Sequence, residues 1–378
     1  MIHFKPGSHA YNIIDLLSVT GEFPLCSLEI LGSRQTYENV IRRMLIPQKI
    51  VDGQEDITCK LLTVSGLNGR RKIRLAKEAL PILKWLGAEK YYYENYMRSH
   101  RSSNNEHAIR STRFAESVAM FQAAGYEFKP HKLPQLQSEK CQLIMGRAPV
   151  FYPAKIIKTF DSSDVKKTGF TRMTGALLAH KRAYVVYNSR NELMKGFDGG
   201  GEMKAYCNVG NIATLNAGCD HYYQVPAIIF GKSNDLAVTM LKTYDEQFAK
   251  YKRVRKRRKT YEYVHFFTLD TNGVRQLRIM KYPEWEKRIL NALFDEIKWA
   301  KGDENLDYDL YAEGKDWFSF LTGDICRLWR FGVGAEKMSE RCIILCFPHQ
   351  LDLVRGYLGN RFKVATITLD DAEDILFG

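Results

Sequence analysis

Several patterns that would assign the chain to a class are absent from its sequence. The 378 residues include 8 cysteines but no Cys-x-x-Cys pair, so we expect reduced thiols rather than a disulfide framework. No apolar run reaches the roughly 18 residues that a membrane-spanning helix needs. The chain also opens without a charged segment followed by an apolar one, so the sequence predicts a cytoplasmic protein with no membrane partner.

Motifs for nucleotide and metal chemistry are incomplete as well. Gly231, Lys232 and Ser233 stand between a predicted strand and a predicted helix. The phosphate-binding loop also needs a glycine five residues earlier, where this chain has Pro226. No two histidines are separated by a single residue, the spacing that holds the metal of nicking relaxases. We therefore predict no cofactor and no bound metal.

The composition is rich in positive charge. Lysine and arginine number 56 against 43 acidic residues, which gives a net charge of +13. An excess of this size attracts polyanions. The densest cationic run covers residues 252–259, and we expect it to neutralise nucleic-acid phosphates; a solvated basic loop is the alternative. Its candidate contacts are Arg253, Arg255, Lys256, Arg257 and Arg258.

Residues 32–45 carry the most specific pattern in the chain. Apolar side chains recur on one helical face, at the spacings i, i+3, i+4, i+7 and i+8. They are Tyr37, Val40, Ile41, Met44 and Leu45. The remaining side chains include arginine, asparagine and glutamine, which can bond base edges and phosphates. The candidate DNA contacts are Ser33, Arg34, Gln35, Thr36, Asn39, Arg42 and Arg43.

The surrounding sequence predicts a winged helix–turn–helix over residues 1–90, with 32–45 as its recognition helix. The predicted elements are helices at 10–19, 25–31 and 32–45, β-prone runs at 57–65 and 71–75 around an Asn-Gly turn, and a closing helix at 76–86. The wing would meet the DNA backbone. Its candidate contacts are Arg70, Arg71, Lys72 and Arg74. A winged helix used only for protein–protein contact is the alternative.

Two further regions follow. Residues 91–140 predict a connector with an amphipathic helix at 104–125, whose Ile109, Val118 and Phe121 face inward. Residues 141–378 alternate β-prone runs and helices and predict a mixed α/β domain, so the fold class is α+β or α/β. Predicted strands lie at 183–187, 224–230, 261–269, 274–280, 341–347 and 362–369, and predicted helices at 234–251, 284–299 and 349–358. No internal repeat is evident.

A metal-dependent DNA nickase or nuclease, with its active site in the C-terminal domain, is the alternative function. Restriction-type nucleases bind magnesium through an acidic residue followed by Glu-x-Lys on a strand. Glu202-Met203-Lys204 is the strand-like candidate, close behind Asp198, in a hairpin predicted from 191–197 and 202–207. Glu296-Ile297-Lys298 falls on a predicted helix, where surface charge pairing is the usual role.

The helix–turn–helix, the wing and the following helix, which opens with Glu106-His107, together resemble the replication–relaxation family of Gram-positive plasmids and integrative conjugative elements. The resemblance covers roughly residues 10–125, and the stretches 170–178, 184–189 and 192–195 also resemble mobile-element relatives. It implies a role in plasmid or conjugative-element replication or transfer. It supplies no catalytic motif.

We therefore predict a bacterial mobile-element protein that recognises a site on double-stranded DNA, and we keep the nickase or nuclease as the alternative. A relaxase or replication protein is a candidate partner. Winged-helix proteins commonly bind two-fold sites as dimers, so a homodimer is a second candidate. An adaptor that docks a relaxase or replication protein, with weak DNA affinity of its own, is a third class of function.

Overall fold

The computed structural model describes most of the chain as helices and mixed sheets, which confirms the α+β class. The described residues are 1–51, 56–66, 71–88, 105–128, 149–157, 172–180, 182–194, 200–217, 225–251, 261–300, 308–334 and 341–378. The predicted connector at 91–140 is therefore described only over residues 105–128. Within these ranges, no helix is both long and apolar enough to span a membrane, and no disulfide joins the cysteines.

The N-terminal module, residues 1–88, combines short helices with two small sheets. Its elements are β1 (Ile2–His3), α1 (His9–Thr20), β2 (Glu22–Pro24), a 3₁₀ helix (Leu25–Ile30), α2 (Arg34–Met44), β3 (Gln48–Val51), β4 (Asp56–Cys59), β5 (Leu62–Ser65), β6 (Lys72–Leu75), a 3₁₀ turn (Lys77–Ala79) and α3 (Ile82–Trp85). One sheet is antiparallel with the order β2-β6-β5, and the other has the order β1-β3-β4.

Two predictions for this module were wrong in detail. The single β-prone run at 57–65 is two strands in different sheets: β4 pairs with β3, β5 pairs with β6, and the backbone of Leu61 between them bonds Met44 and Ala76. Strand β3, which pairs with β4, was not predicted. The helix predicted at 76–86 is interrupted before Pro81, whose ring leaves no N–H to donate.

The remaining described residues form two five-stranded sheets with helices around them. Their elements are α4 (Asn105–Ala123), β7 (Val150–Pro153), α5 (Ala154–Ile157), β8 (Gly175–Ala179), β9 (Arg182–Arg190), α6 (Gly200–Ala217), β10 (Ala227–Gly231), α7 (Asn234–Tyr251), β11 (Val264–Thr268), α8 (Thr271–Met280), α9 (Trp285–Leu293), β12 (Lys298–Trp299), β13 (Leu310–Ala312), β14 (Lys315–Ser319), α10 (Ile325–Gly334), β15 (Cys342–Cys346), a 3₁₀ helix (Pro348–Gln350), α11 (Leu351–Leu358), β16 (Lys363–Thr366) and α12 (Leu369–Phe377).

The two sheets have the same topology. In each, three consecutive strands pair antiparallel and the next two add in parallel, each preceded by a helix, so the strand order follows the sequence. We call α4 to β11 the first unit and α9 to β16 the second unit. The sequence shows no internal repeat, so the two units share a strand order without a recognisable sequence pattern.

Three element predictions in this region were wrong. The strand predicted at 274–280 belongs to α8, which Asp270 caps by accepting a hydrogen bond from the Gly273 N–H at 3.0 Å. The strand predicted at 202–207 belongs to α6. The helix predicted at 284–299 stops at Leu293, and the chain then enters strand β12.

Helix α4 joins the N-terminal module to the first unit. Phe121 stacks on Phe151 of β7 with ring centroids 4.2 Å apart, while Gln122 donates to the Asn12 carbonyl of α1 at 3.1 Å. Val118 and Phe121 are buried as predicted, but Ile109 is 41% exposed, so its predicted inward orientation was wrong. One continuous apolar cluster therefore covers the module, α4 and one face of each sheet.

Candidate nucleic-acid interface

Helix α2 separates an apolar face from a polar one. Tyr37, Ile41 and Met44 are buried against the module, with exposed fractions of 3%, 4% and 0%. The polar candidates lie on the outside: Ser33, Arg34, Gln35, Asn39, Arg42 and Arg43 are exposed, and Thr36 is half-buried. Burial of the apolar face thus fixes which side chains α2 offers to a partner.

Two of the α2 arginines already have partners within the chain. The Arg34 Nε–H donates to Glu38 at 2.9 Å, and both side chains are about half exposed. Arg43 donates to the Met1 carbonyl at 2.8 Å. The side chains of Gln35 and Arg42 form no hydrogen bond with another described residue of the chain. These exposed contacts are weak enough for phosphate or base acceptors to replace.

The strands of the predicted wing offer fewer unpaired cationic side chains than the sequence suggested. Lys72 and Arg74 both bond Glu22, whose side chain is only 12% exposed. Burial opposes ionisation of Glu22, but the hydrogen bonds and charges of these two partners outweigh it and lower its pKa. Arg71 is exposed. Arg70 and the basic run, with Arg253, Arg255, Lys256, Arg257 and Arg258, lie outside the described residues.

A buried carboxylate ties the module to the end of strand β9. Glu116 of α4 is fully buried and accepts hydrogen bonds from Ser27 at 2.6 Å and from Asn188 at 3.0 Å. The Arg190 guanidinium lies 3.3 Å from the same carboxylate. Ser27 belongs to the 3₁₀ helix immediately before α2, so the contacts of Glu116 connect this part of the module to the end of the first sheet's strand β9.

The second unit has a comparable cluster at the equivalent place. Thr174 N–H donates to the Val186 carbonyl and Asp309 N–H donates to the Trp317 carbonyl, which aligns the two sheets residue by residue. Two residues further along each strand stand Asn188 and Ser319. Asn188 and Ser319 therefore occupy equivalent positions in the two sheets.

In the second unit the aligned side chain also meets a glutamate of the preceding helix. Glu286 of α9 accepts a hydrogen bond from the Ser319 hydroxyl at 2.5 Å. Arg327 forms an ion pair with Asp309 beside it. Burial, followed by the nearby charge of Asp309, raises the pKa of Glu286 to about 7.

The residues proposed for metal-dependent cleavage do not form a site on a strand. Glu202 and Lys204 lie on helix α6, so the strand prediction for them was wrong, and Asp198 lies outside the described residues. Glu296 lies in a bend and Lys298 begins β12, so the helix predicted there was wrong as well. In the described ranges, no three His, Cys, Asp or Glu side chains are grouped to hold a metal ion.

Protein-family models, curated proteins and solved structures give no match to this chain. The geometry of its own residues therefore carries the functional argument, and the resemblance to the replication–relaxation family stays a prediction. Sequence reasoning missed Glu116 and Glu286. Helical periodicity gave no signal for the former, because Glu116 lies on the opposite side of α4 from Val118 and Phe121, and that side is buried as well.

Proposed function

We propose that this chain is a site-specific double-stranded DNA-binding protein of a bacterial mobile element, acting in the cytoplasm, with α2 as its recognition helix. The observation that carries the proposal is the exposed arginine, glutamine and asparagine face of α2 above a buried apolar face. Arginine bonds guanine, and glutamine and asparagine bond adenine, in the major groove. The replication or transfer role follows from the family resemblance alone.

The order of elements supports a winged helix–turn–helix. Helix α1, strand β2, the 3₁₀ helix and α2 precede two strands that complete an antiparallel sheet with β2, in the order β2-β6-β5. Gly32 stands at the turn before α2 with a φ of +136°, a conformation that favours glycine. The β3–β4 hairpin is an addition between α2 and the sheet.

The wing contributes less than the sequence suggested. Because Lys72 and Arg74 neutralise Glu22, we propose Arg71 together with Arg70 as its phosphate contacts. The basic run at 252–259 would add affinity without reading sequence. A homodimer on a two-fold site remains part of the proposal, as does docking of a relaxase or replication protein.

The nuclease alternative gains no support from the described residues. Along β9, the strand that meets the buried Glu116, the last three residues are Asn188, Ser189 and Arg190. An amide and a guanidinium do not bind magnesium as carboxylates do. We therefore favour recognition over cleavage.

The test is selection of a bound sequence from a random-sequence duplex pool, followed by fluorescence anisotropy with that duplex. The double variant Arg42→Ala/Arg43→Ala should weaken specific binding roughly thirtyfold or more, because each base or phosphate contact contributes about 1–3 kcal/mol. Affinity for unrelated duplexes should fall less.

The matched control is Lys242→Ala/Lys363→Ala, which removes the same charge from exposed positions on α7 and β16. Specific binding by this control should be nearly unchanged. Equal losses in the two double variants would mean that only net charge matters. Binding that survives in both would favour the adaptor function.

A further inference from the structure

Strand β9 ends in a bulge that redirects its last side chains. Asn188 pairs with Phe230 and Arg190 with Gly231, so Ser189 is an extra residue without a partner in β10. Arg190 has a φ of +53°, which is uncommon for a residue other than glycine. Bulges of this kind occur beside binding sites because they aim side chains away from the regular pleat.

The bulge borders a narrow recess at the surface. The space that it holds for the centre of a water-sized molecule is only about 10 Å³, so a larger group enters only where a lining side chain moves aside. Its lining includes the charged side chains of Arg113 on α4, Arg172 before β8 and Glu192 after β9, together with polar side chains of β9, among them Ser189. The recess is thus lined by cations from two separate segments.

Two polar atoms in this lining lack a hydrogen-bond partner among the described residues. They are the Ser189 hydroxyl oxygen and the Arg113 Nε. Ser189 is only 3% exposed. Buried polar groups are nearly always hydrogen-bonded, so an unpartnered hydroxyl and an unpartnered N–H on two residues that line one recess indicate an absent acceptor.

The arginines that line the recess indicate that the missing acceptor is an anion. Arg113, whose side chain is 14% exposed, holds the Glu192 carboxylate at 2.7 Å, while Glu192 itself is 62% exposed. An exposed carboxylate is easily displaced, and arginine binds phosphate oxygens in the same geometry. We propose that the recess binds a phosphate group, which takes the place of Glu192 on Arg113 and bonds the Ser189 hydroxyl, with Arg172 adding positive charge.

At the equivalent strand end of the second unit, the arginine already has partners within the chain. There Arg327 pairs with Asp309 and also donates to the Ser319 carbonyl at 3.4 Å. Its guanidinium lies over the Phe318 ring, 4.7 Å from the centroid. The chain's own groups therefore satisfy this arginine, and we assign the phosphate site to the first unit only. The assignment does not depend on DNA recognition by α2.

The test is calorimetric titration of the full-length protein with inorganic phosphate at constant ionic strength. Arg113→Met should weaken binding roughly tenfold or more, as expected for a hydrogen bond to a charged group. Its matched control is Arg110→Met, one turn earlier on α4 and 70% exposed, which should bind like the wild type. Hydrogen bonds to the Arg113 backbone carbonyl survive the substitution.

The variant Glu192→Gln should change phosphate affinity in the opposite direction. Removing the competing carboxylate should tighten phosphate binding several-fold, a result that a misfolded variant would not give. Absence of saturable binding in the wild type overturns the proposal. Equal affinity in the Arg113 and Arg110 variants, or no tightening by Glu192→Gln, overturns it as well.

Short single-stranded oligonucleotides identify the source of the phosphate. Binding that needs a 5′-phosphate, and that inorganic phosphate displaces, would assign the recess to nucleic-acid ends; equal binding of inorganic phosphate and the oligonucleotide would assign it to a free phosphate. The Arg42→Ala/Arg43→Ala variant should keep its phosphate affinity in either case. Retained phosphate binding with no duplex recognition in the wild type would reject only the function proposed for α2.

Discussion

Two glutamates occupy equivalent places in the two units but face different charges. Glu116 meets a nearby guanidinium directly, at 3.3 Å. Glu286 shares its surroundings with Asp309, which competes with it for the positive charge of Arg327. The same residue type at the equivalent position therefore has different charged neighbours, and burial together with the charge of Asp309 raises the pKa of Glu286.

Glu286 should make the stability of the protein depend on pH. Its pKa is raised to about 7 from the ordinary value of 4.5, so the folded protein binds the proton more tightly than the unfolded chain. The free energy of unfolding should then fall as pH rises from about 5 to 8, by up to about 3 kcal/mol at 1.36 kcal/mol per pKa unit.

Glu286→Gln should remove most of this fall, because a neutral amide still accepts the Ser319 hydrogen bond without requiring ionisation. Urea unfolding at several pH values measures it. Glu284→Gln, at a side chain 75% exposed on the same helix end, is the control and should leave the slope unchanged. A variant at position 286 with the wild-type slope would show that other groups cause it.

At the scale of elements, helix α8 depends on close contact with strand β11. A Cβ on Gly273 would lie 2.0 Å from the Thr268 carbonyl oxygen. Replacing a helical glycine with alanine ordinarily stabilises a helix by about 1 kcal/mol. Here we expect the opposite sign, a loss of about 1–3 kcal/mol or more, because the backbone oxygen cannot move aside.

Thermal unfolding of Gly273→Ala checks this expectation. Thr271→Ala is the control, since Thr271 is exposed two residues earlier in the same helix. Gly273→Ala with an unchanged or higher midpoint would mean that α8 and β11 separate without cost.

The elements also show what the sequence could and could not predict. Helix α7 was predicted with its observed bounds, Asn234–Tyr251, because its apolar periodicity is long. Residues 274–280 were misassigned as a strand, since their Val, Leu and Ile content favours strands when tertiary contacts are ignored. The exposed face of α2 followed from periodicity, whereas the Glu116 contacts depend on residues more than 70 positions apart, which periodicity cannot bring together.

At the scale of the whole molecule, the N-terminal module is mounted on the first unit through α4. A continuous apolar cluster and the Glu116 contacts both cross this boundary. We therefore expect the module and the first sheet to lose structure together. Removing the carboxylate leaves the largely buried Arg190, 24% exposed, without its charge partner, which is a strongly destabilising change.

Glu116→Ala should accelerate amide exchange in both the 3₁₀ helix Leu25–Ile30 and the end of β9, measured by hydrogen–deuterium exchange mass spectrometry. Glu106→Ala, at an exposed position of the same helix, is the control. Faster exchange on only one side of the boundary would mean that the module moves independently of the sheet.

The duplicated topology has a consequence for stoichiometry. Within the described residues the sheet unit occurs twice, but α2 occurs once. A symmetric operator occupied by one chain per half-site would therefore carry two copies of α2 and four sheet units. Each chain would bring two sheet units of the same strand order to such an operator but only one α2, so the two sheet units of a chain need not make equivalent contacts with the DNA.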